Sequence, residues 1–227
     1  MTKLLYKELR LCMHPMVYLF YTFVFMLFIP NYIYLIPCFF TCNSIFYVFQ
    51  QGVTNNDILF TALLPVSKHR VVESRFLFAV IIQLLMLLLY IPMIFINHAV
   101  NPAGNLAGVD ASITLLASCL ILFAVFNSVF MPEFYKTGYK AGRSFLISAI
   151  AVFVWIFLSE GVFIAAGAAA EQLSFFAWIK ENLDCWAHDA SSLTAQLIAL
   201  GVGIIVYAAA TGLSLKRSKA NFDNVDL

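Results

Sequence analysis

Long stretches without charged residues alternate along this chain with short segments that carry most of its Lys and Arg. Residues 11 to 56 contain no Asp, Glu, Lys or Arg, and neither do residues 76 to 109. Because a membrane-spanning helix needs about 20 mostly apolar residues, the first stretch is long enough for two helices. The pattern predicts a turn at Pro30 and Asn31 and six spans, near residues 15–29, 32–50, 71–96, 112–131, 144–168 and 193–215.

The basic residues fall on one side of these six predicted spans. All Lys and Arg except Lys180 lie before span 1, near the junction of spans 2 and 3, between spans 4 and 5, or after span 6. The other side carries the acidic residues Asp110, Glu171, Glu181, Asp184 and Asp189. Cytoplasmic loops are enriched in Lys and Arg, so both ends of the chain are predicted to be cytoplasmic.

The composition requires lipid as the solvent for much of the surface. The chain is 63% hydrophobic and 11% charged, whereas a soluble domain carries about 25% charged residues. Its formal net charge of +1 gives no basic field that would attract nucleic acid. We therefore expect an all-α integral membrane protein that forms one membrane domain over residues 1–227.

Three polar segments flank the predicted spans. Residues 1–14 form either a short amphipathic helix, an interfacial elbow that guides span 1, or a merely basic N-terminus. Residues 171–192 place Trp178 and Trp186 among charges, which is typical of an extracellular segment at the membrane boundary. Residues 216–227 are expected to form a cytoplasmic tail.

The motifs of common catalytic sites are absent from the sequence. It contains no G-x-x-x-x-G-K-[ST] phosphate loop, no HExxH and no GxSxG. We therefore expect no catalytic residue, metal ligand or cofactor on this chain. Glu160 is the one carboxylate within an apolar helix, and an ionisable group there suggests a role in a translocation pathway. The alternative is a structural role near the outer boundary, where Glu160 could reach water or a hydrogen-bond partner.

The segment 54–66, between spans 2 and 3, combines start and stop signals for a short helix. Asn55, Asn56 and Asp57 are favoured before a helix, and Pro65 should end it. Apolar residues recur between them at helical spacing, namely Leu59, Phe60, Leu63 and Leu64. Ser67 can then cap span 3. Two interpretations stay open: an amphipathic helix on the lipid surface, or a knob that docks into a partner protein.

Two strings in the sequence resemble the small type 2 ABC-exporter permeases. The first is Asp57…Leu63-Leu64-Pro65-Val66-Ser67-Lys68…Val71-Val72…Arg75, which is similar to their LPVSR…VV signature with Lys68 in place of the commoner Arg. The second is Phe134-Tyr135-Lys136-Thr137-Gly138-Tyr139-Lys140-Ala141-Gly142-Arg143. Within the family, the chain most resembles the bacterial exporters of phenol-soluble modulins, which are amphipathic peptides.

The resemblance implies a permease in a bacterial inner or cytoplasmic membrane that pairs with a second copy as a homodimer. ATP and Mg would bind a separate cytoplasmic ABC ATPase, and an amphipathic peptide or other hydrophobic molecule would be the cargo. The segment between spans 2 and 3 would be the coupling helix, with docking residues Leu59, Phe60, Leu63 and Leu64 and flanking residues Asp57, Pro65, Ser67, Lys68 and Arg70. The alternatives are a non-transporting membrane scaffold or an immunity protein that sequesters an antimicrobial peptide.

Overall fold

The computed structural model describes residues 2–62, 65–102, 104–105, 108–137, 140–162, 164–165, 174 and 193–225. Every regular element within these ranges is a helix, which confirms the all-α prediction. In chain order they are α1 (Thr2–Lys7), a π-helical turn (Glu8–Cys12), α2 (Pro15–Tyr21), a 3-10 helix (Thr22–Phe28), α3 (Ile36–Thr54), α4 (Asp57–Ala62), α5 (Lys68–Val100), α6 (Ile113–Thr137), α7 (Ala141–Ile156), a second π-helical turn (Phe157–Gly161) and α8 (Leu193–Asp223).

Local sequence signals explain several helix boundaries. Pro15 occupies the first turn of α2, where its missing N–H costs nothing, and His14 Nδ1 accepts a hydrogen bond from the Met16 backbone N–H at 3.1 Å. Asn31 adopts a left-handed conformation with φ of 55°, which confirms the predicted turn after Pro30. Ser67 has extended backbone angles directly before α5, as expected of an N-cap, but its side chain makes no capping hydrogen bond.

Four helical segments are long and apolar enough to cross a membrane: α5, α6, α7 with its π-helical turn, and α8. A fifth results if Lys3–Arg10 and Pro15–Phe28, which meet at a bend of 74°, are taken as one span. Helix α3 has 19 residues and no formal charge, but it contains the polar residues Asn43, Gln50 and Gln51 and is not among these candidates. A multi-pass membrane protein is therefore confirmed, while the number six stays a prediction.

Several predicted boundaries differ from the observed ones. The second predicted span, 32–50, is displaced by about one turn, because α3 covers Ile36–Thr54. Helix α6 continues through Pro132 to Thr137, which shortens the expected polar connection. Residues 216–223, expected as part of a tail, are the last turns of α8. Residues 171–192 lie outside the described residues, apart from position 174.

Helix α6 lies at the centre of the bundle and packs against α3, α7 and α8. An alanine Cβ built on Gly203 of α8 would lie 3.1 Å from the Ala117 Cα and carbonyl oxygen, so the two helices approach closely at this point. Aromatic rings fill the space between α3 and α6, where the Phe49 ring lies 5.3 Å from that of Phe130 and 4.9 Å from that of Phe134. These rings form part of the core of one chain.

The outer faces of α5, α7 and α8 are apolar and exposed. Ionisable groups are rare on these faces, as expected where lipid is the solvent. The largest exposed fractions, between 57% and 72%, belong to Leu88, Phe95, Leu146, Ile150, Phe157, Ile198, Ile205 and Leu213.

The bundle has two chemically different ends. Helices α1 and α4, the start of α5 and the ends of α6 and α8 meet at one end, which we call the basic end. The turn 29–35 and the ends of α5 and α7 meet at the opposite end, where Asn97 Nδ2 donates to the Tyr34 hydroxyl at 3.1 Å. The basic end corresponds to the predicted cytoplasmic side.

Candidate functional site

Four charged side chains tie α4 to α1 and α5 at the basic end. Lys7 Nζ lies 2.5 Å from Asp57 Oδ1 and donates to the Thr61 hydroxyl at 2.9 Å. Arg75 Nη2 donates to Asp57 Oδ2 at 2.5 Å, and its Nε lies 3.6 Å from Glu8 Oε1. We call Lys7, Glu8, Asp57 and Arg75 the charged cluster. Its two cations and two anions join the N-terminal helical segment to α4 and α5, about 50 residues later in the sequence.

Arg75 lies at the centre of the charged cluster and is almost fully buried, with 4% of its surface exposed. Its guanidinium carbon lies 5.5 Å from the centre of the Phe49 ring, a cation–π contact. On another side a Cβ on Gly52 would lie 3.3 Å from Arg75 Nη2, so the absence of a side chain on α3 leaves room for the guanidinium. A buried cation without such partners would be strongly unfavourable.

The charged cluster keeps Asp57 ionised. Burial raises the pKa of Asp57, but the hydrogen bond from Lys7 and the charges of Arg75 and Lys7 together outweigh burial and bring the pKa below its ordinary value of 3.8. The Asp57 carboxylate therefore pairs within the chain at neutral pH. The structure thus gives Asp57 a role in holding α4, whereas the sequence suggested that it flanks a contact with a partner.

Beside the charged cluster, α4 exposes an apolar side chain. Phe60 is 67% exposed, and its ring borders a cavity of about 170 Å³ that also contacts Lys7, Phe49 and Arg75. Of the other predicted docking residues, Leu63 and Leu64 lie outside the described residues, as does the side chain of Leu59. Phe60 is therefore the one predicted docking side chain whose position is described.

The predicted flanking residues other than Asp57 lie beyond α4, and all four of them are described. Pro65 and Ser67 connect α4 to α5, and Arg70 is exposed on the first turn of α5. Lys68 Nζ donates to the Val225 carbonyl oxygen at 2.9 Å, so this ammonium has a hydrogen-bond partner within the chain. Among the described residues, no group of His, Cys, Asp or Glu is arranged to hold a metal ion.

A comparison with known families identifies the family of the chain. Residues 3–218 match the family model described as "ABC-2 family transporter protein". The chain belongs to the ABC-2 transporter family. No curated protein and no solved structure matches it. Membership makes the chain a membrane component of an ABC transporter, and the family as a whole implies an ATPase partner.

Inside its helical bundle, this ABC-2 protein has a polar network that joins α5, α6 and α8. The side-chain amides of Gln83 and Asn127 form a reciprocal pair, with N···O distances of 2.8 and 2.9 Å. Tyr207 donates to Gln83 Oε1 at 2.7 Å, and Ser214 donates to the Asn127 carbonyl oxygen at 2.5 Å. Gln83 and Asn127 are 0% and 1% exposed, so the network contributes interhelical hydrogen bonds within the apolar bundle.

Glu160 of the ABC-2 protein lies at the opposite end, in the π-helical turn after α7. Its Oε1 accepts a hydrogen bond from the Leu35 backbone N–H at 3.0 Å, just before α3 begins. Its Oε2 is buried, and within the described part of the chain it has no hydrogen-bond partner. The side chain is 0% exposed, so the expectation that Glu160 reaches water is wrong, because the turn 29–35 and Gly108 cover it.

Sequence reasoning missed the parts of Lys7, Glu8 and Arg75 in this site. It used the two cations as evidence for topology, and Arg75 also as the last position of the first string that resembles the permease family. One signal was available, because Glu8 is the only acidic residue between the N-terminus and Asp57. A lone carboxylate within a basic segment suggests a buried partner, although the sequence alone does not identify which cation it meets.

Proposed function

We propose that this ABC-2 transporter protein is the permease subunit of an ATP-driven exporter and that α4 is its coupling helix. The observation that carries the proposal is that α4 is anchored and exposed at once. The charged cluster fixes α4 to α1 and α5, and Phe60, which borders the same cavity as this cluster, is 67% exposed. A helix that is fixed to a membrane span and exposes an apolar side chain can bind a partner and transmit its displacement to that span.

The chemistry of α4 fits a protein partner better than a lipid surface. Burial of one large apolar side chain such as Phe60 in a groove of an ATPase contributes about 1.5–3 kcal/mol. Arg70, exposed on the next helix, adds a charge that would orient the contact more than strengthen it. A lipid-lying helix would have no need of a buried Arg75 that couples it to α5.

The proposed cargo is an amphipathic peptide of the phenol-soluble modulin type, or another hydrophobic molecule. The resemblance of the Asp57–Arg75 and Phe134–Arg143 strings supports this assignment. The aromatic rings of α3 and α6 pack against each other within one chain, so we place the pathway between two copies of the permease. The proposed location is a bacterial cytoplasmic membrane, with both ends of the chain and α4 on the cytoplasmic side.

Co-purification tests the proposal directly. An affinity-tagged permease, extracted from its native membrane, should bring down an ABC ATPase in stoichiometric amount. Phe60→Ala should weaken this recruitment and lower peptide export, with membrane insertion unchanged. Phe95→Ala is the matched control, because Phe95 is 72% exposed on the apolar face of α5 and far from the basic end.

Three outcomes would contradict the proposal. A wild-type permease that recruits no ATPase would favour a membrane scaffold or an immunity protein. Full recruitment and full export by Phe60→Ala would exclude the coupling role of this residue. Loosened membrane association of Phe60→Ala, with unchanged recruitment, would instead identify α4 as a helix on the lipid surface.

A further inference from the structure

The end of α8 contacts the first turns of α5. These turns follow directly after the segment that contains α4. Lys219 Nζ lies 2.5 Å from Glu73 Oε1, and His69 Nε2 lies 2.8 Å from Asp223 Oδ2. The Val225 carbonyl oxygen accepts the hydrogen bond from Lys68 described above. We call Lys219, Phe222, Asp223 and Val225 the C-terminal clasp. Three separate contacts thus join segments about 150 residues apart in sequence.

The C-terminal clasp is anchored in the core of the bundle. Phe222 is 2% exposed and packs edge-on against the Tyr135 ring of α6, with the ring centres 5.2 Å apart. Asn221 Nδ2, on the same turn of α8, donates to the Pro132 carbonyl oxygen of α6 at 2.8 Å. The Lys68 ammonium lies 5.7 Å from the centre of the Phe222 ring. The clasp therefore holds the start of α5 against the end of α6.

The spacing of the clasp residues shows that one face of α8 makes this contact. Positions 219, 222 and 223 are three and four residues apart and lie on one side of an α-helix. The same face buries Ser218, at the level where α8 meets α6. Opposite charges meet at Lys219 and Glu73, and His69 is within hydrogen-bond distance of Asp223, so the contact has a defined register between α8 and α5.

We infer that the C-terminal clasp is a positioning element of the coupling machinery. The charged cluster links α4 to Arg75 on the inner side of α5, and the clasp links residues 68–73 of the same helix to α6 and α8. A displacement of α4 by a partner then moves α5 together with α6 and α8. Without the clasp, the first turns of α5 would be joined to α6 and α8 through the polar network at Gln83, about four turns further along α5, and less of the displacement would be transmitted. The inference rests on the proposed coupling role of α4.

A charge-reversal series tests the C-terminal clasp in the full exporter. The tagged permease and its co-purified ATPase are reconstituted in lipid vesicles with an amphipathic α-helical peptide as the probe, and peptide transported per ATP hydrolysed is measured. Lys219→Glu places two carboxylates against each other and should lower this ratio about two- to fivefold, the factor that corresponds to one partly exposed ion pair. Recruitment of the ATPase should not change, because α4 stays intact.

The double variant Glu73→Lys with Lys219→Glu restores opposite charges and should restore the ratio. Asn224→Ala is the matched control, because Asn224 is exposed at the same helix end and its side chain bonds only to the Ala220 carbonyl oxygen one turn earlier. Phe222→Ala, which removes the anchor, should lower the ratio at least as much as Lys219→Glu. Its folding is checked by monodispersity in detergent.

The outcomes separate the clasp from the proposed function. If the wild-type permease recruits an ATPase but Lys219→Glu and Phe222→Ala transport as much peptide per ATP as the wild type, the inference is wrong and the proposed function stands. A loss that the double variant does not restore also overturns it. If the wild-type permease recruits no ATPase, the coupling role of α4 fails, and the role of the clasp fails with it.

Discussion

Arg75 donates a hydrogen bond to the Asp57 carboxylate at 2.5 Å, across the connection between α4 and α5. The two residues are 18 positions apart, so this bond closes a loop that contains Pro65 and Ser67. Because Arg75 is buried and Asp57 belongs to the exposed α4, the bond connects a surface element directly to the interior of the bundle. It is the shortest route from the proposed docking face to a long membrane helix.

Removal of the Arg75 cation should destabilise the protein strongly. In Arg75→Gln the carboxylates of Glu8 and Asp57 keep their negative charges but lose a buried partner, which costs about 3–5 kcal/mol. Thermal unfolding in detergent measures the loss. Arg143→Gln is the matched control: Arg143 is 60% exposed and lies 3.6 Å from Glu133, so its loss should cost at most about 1 kcal/mol. Equal effects of the two substitutions would contradict the central position given to Arg75.

The stabilisation from Asp57 should be constant from neutral to mildly acid pH. Its pKa is lowered in the folded protein, so the ion pairs contribute fully above the ordinary pKa of about 4 and are lost as the pH falls through the lower folded value. The measurement is the difference in unfolding temperature between the wild type and Asp57→Asn as a function of pH. We expect a constant difference above about pH 5, and a difference that vanished already near neutral pH would show that Asp57 is not paired.

The amide pair inside the bundle should behave as one unit. Gln83→Leu leaves Asn127 Oδ1 without its partner, and Asn127→Leu leaves Gln83 Nε2 without its partner, each at a cost of about 1–3 kcal/mol. The double substitution should cost less than the sum of the single ones, because it removes both polar groups together. A double-mutant cycle of thermal unfolding measures the coupling, and Gln50→Leu, exposed on α3, serves as the control. Strict additivity would show that the hydrogen bonds contribute nothing to stability.

The sequence predicts the elements of this fold better than their contacts. Charge-free stretches locate the apolar helices, and Pro30 with Asn31 locates the first turn, because these signals depend on neighbouring residues. The partnership of Glu8 with Arg75 depends on the packing of α1 against α5, and no local spacing encodes it. The sequence therefore predicted α4 as the candidate site, but it did not predict the charged cluster that holds α4 in place.

The end of α8 is a second place where the sequence did not predict the contacts. Lys216, Arg217 and Lys219 suggest a solvated tail, because a run of charges has no apolar core face to bury. Ser218 and Phe222 are nevertheless buried on one side of the helix, with one small and one large residue a turn apart. These two residues span a single turn, and their burial is recognised only from the packing of this helix end against Tyr135 and Pro132.

Because α6 and α8 approach closely at Gly203, alanine substitutions at Gly203 and Gly201 of α8 should have opposite effects on stability. A Cβ on Gly203 would lie 3.1 Å from backbone atoms of Ala117, whereas a Cβ on Gly201 would meet nothing within 4 Å. Gly203→Ala should therefore lower the unfolding temperature through overpacking of about 1–3 kcal/mol, and Gly201→Ala should raise it through a gain in helix propensity of up to about 1 kcal/mol. A stabilising effect of both would show that α6 and α8 are not in contact at Gly203.

Glu160 should stabilise the start of α3, and the substitutions Glu160→Gln and Glu160→Ala test this. Glu160→Gln keeps an oxygen that can accept from the Leu35 N–H, whereas Glu160→Ala leaves that buried donor without a partner, at about 1–3 kcal/mol. Thermal unfolding should therefore rank the wild type and Gln variant above the Ala variant. Ser159→Ala is the control, since the Ser159 hydroxyl bonds only within its own helix.

Gly108 provides the complementary test of Glu160. Its φ of +143° suits glycine, and a Cβ there would lie 2.7 Å from Glu160 Oε2, so Gly108→Ala should displace the carboxylate. We expect Gly108→Ala to destabilise the wild type more than it destabilises Glu160→Ala, because the shorter side chain leaves room for the new methyl group. Unfolding temperatures of the two single variants and the double variant measure this difference. If Glu160→Gln instead abolished peptide export at an unchanged unfolding temperature, Glu160 would belong to the cargo pathway, since loss of a structural hydrogen bond cannot remove transport without lowering stability.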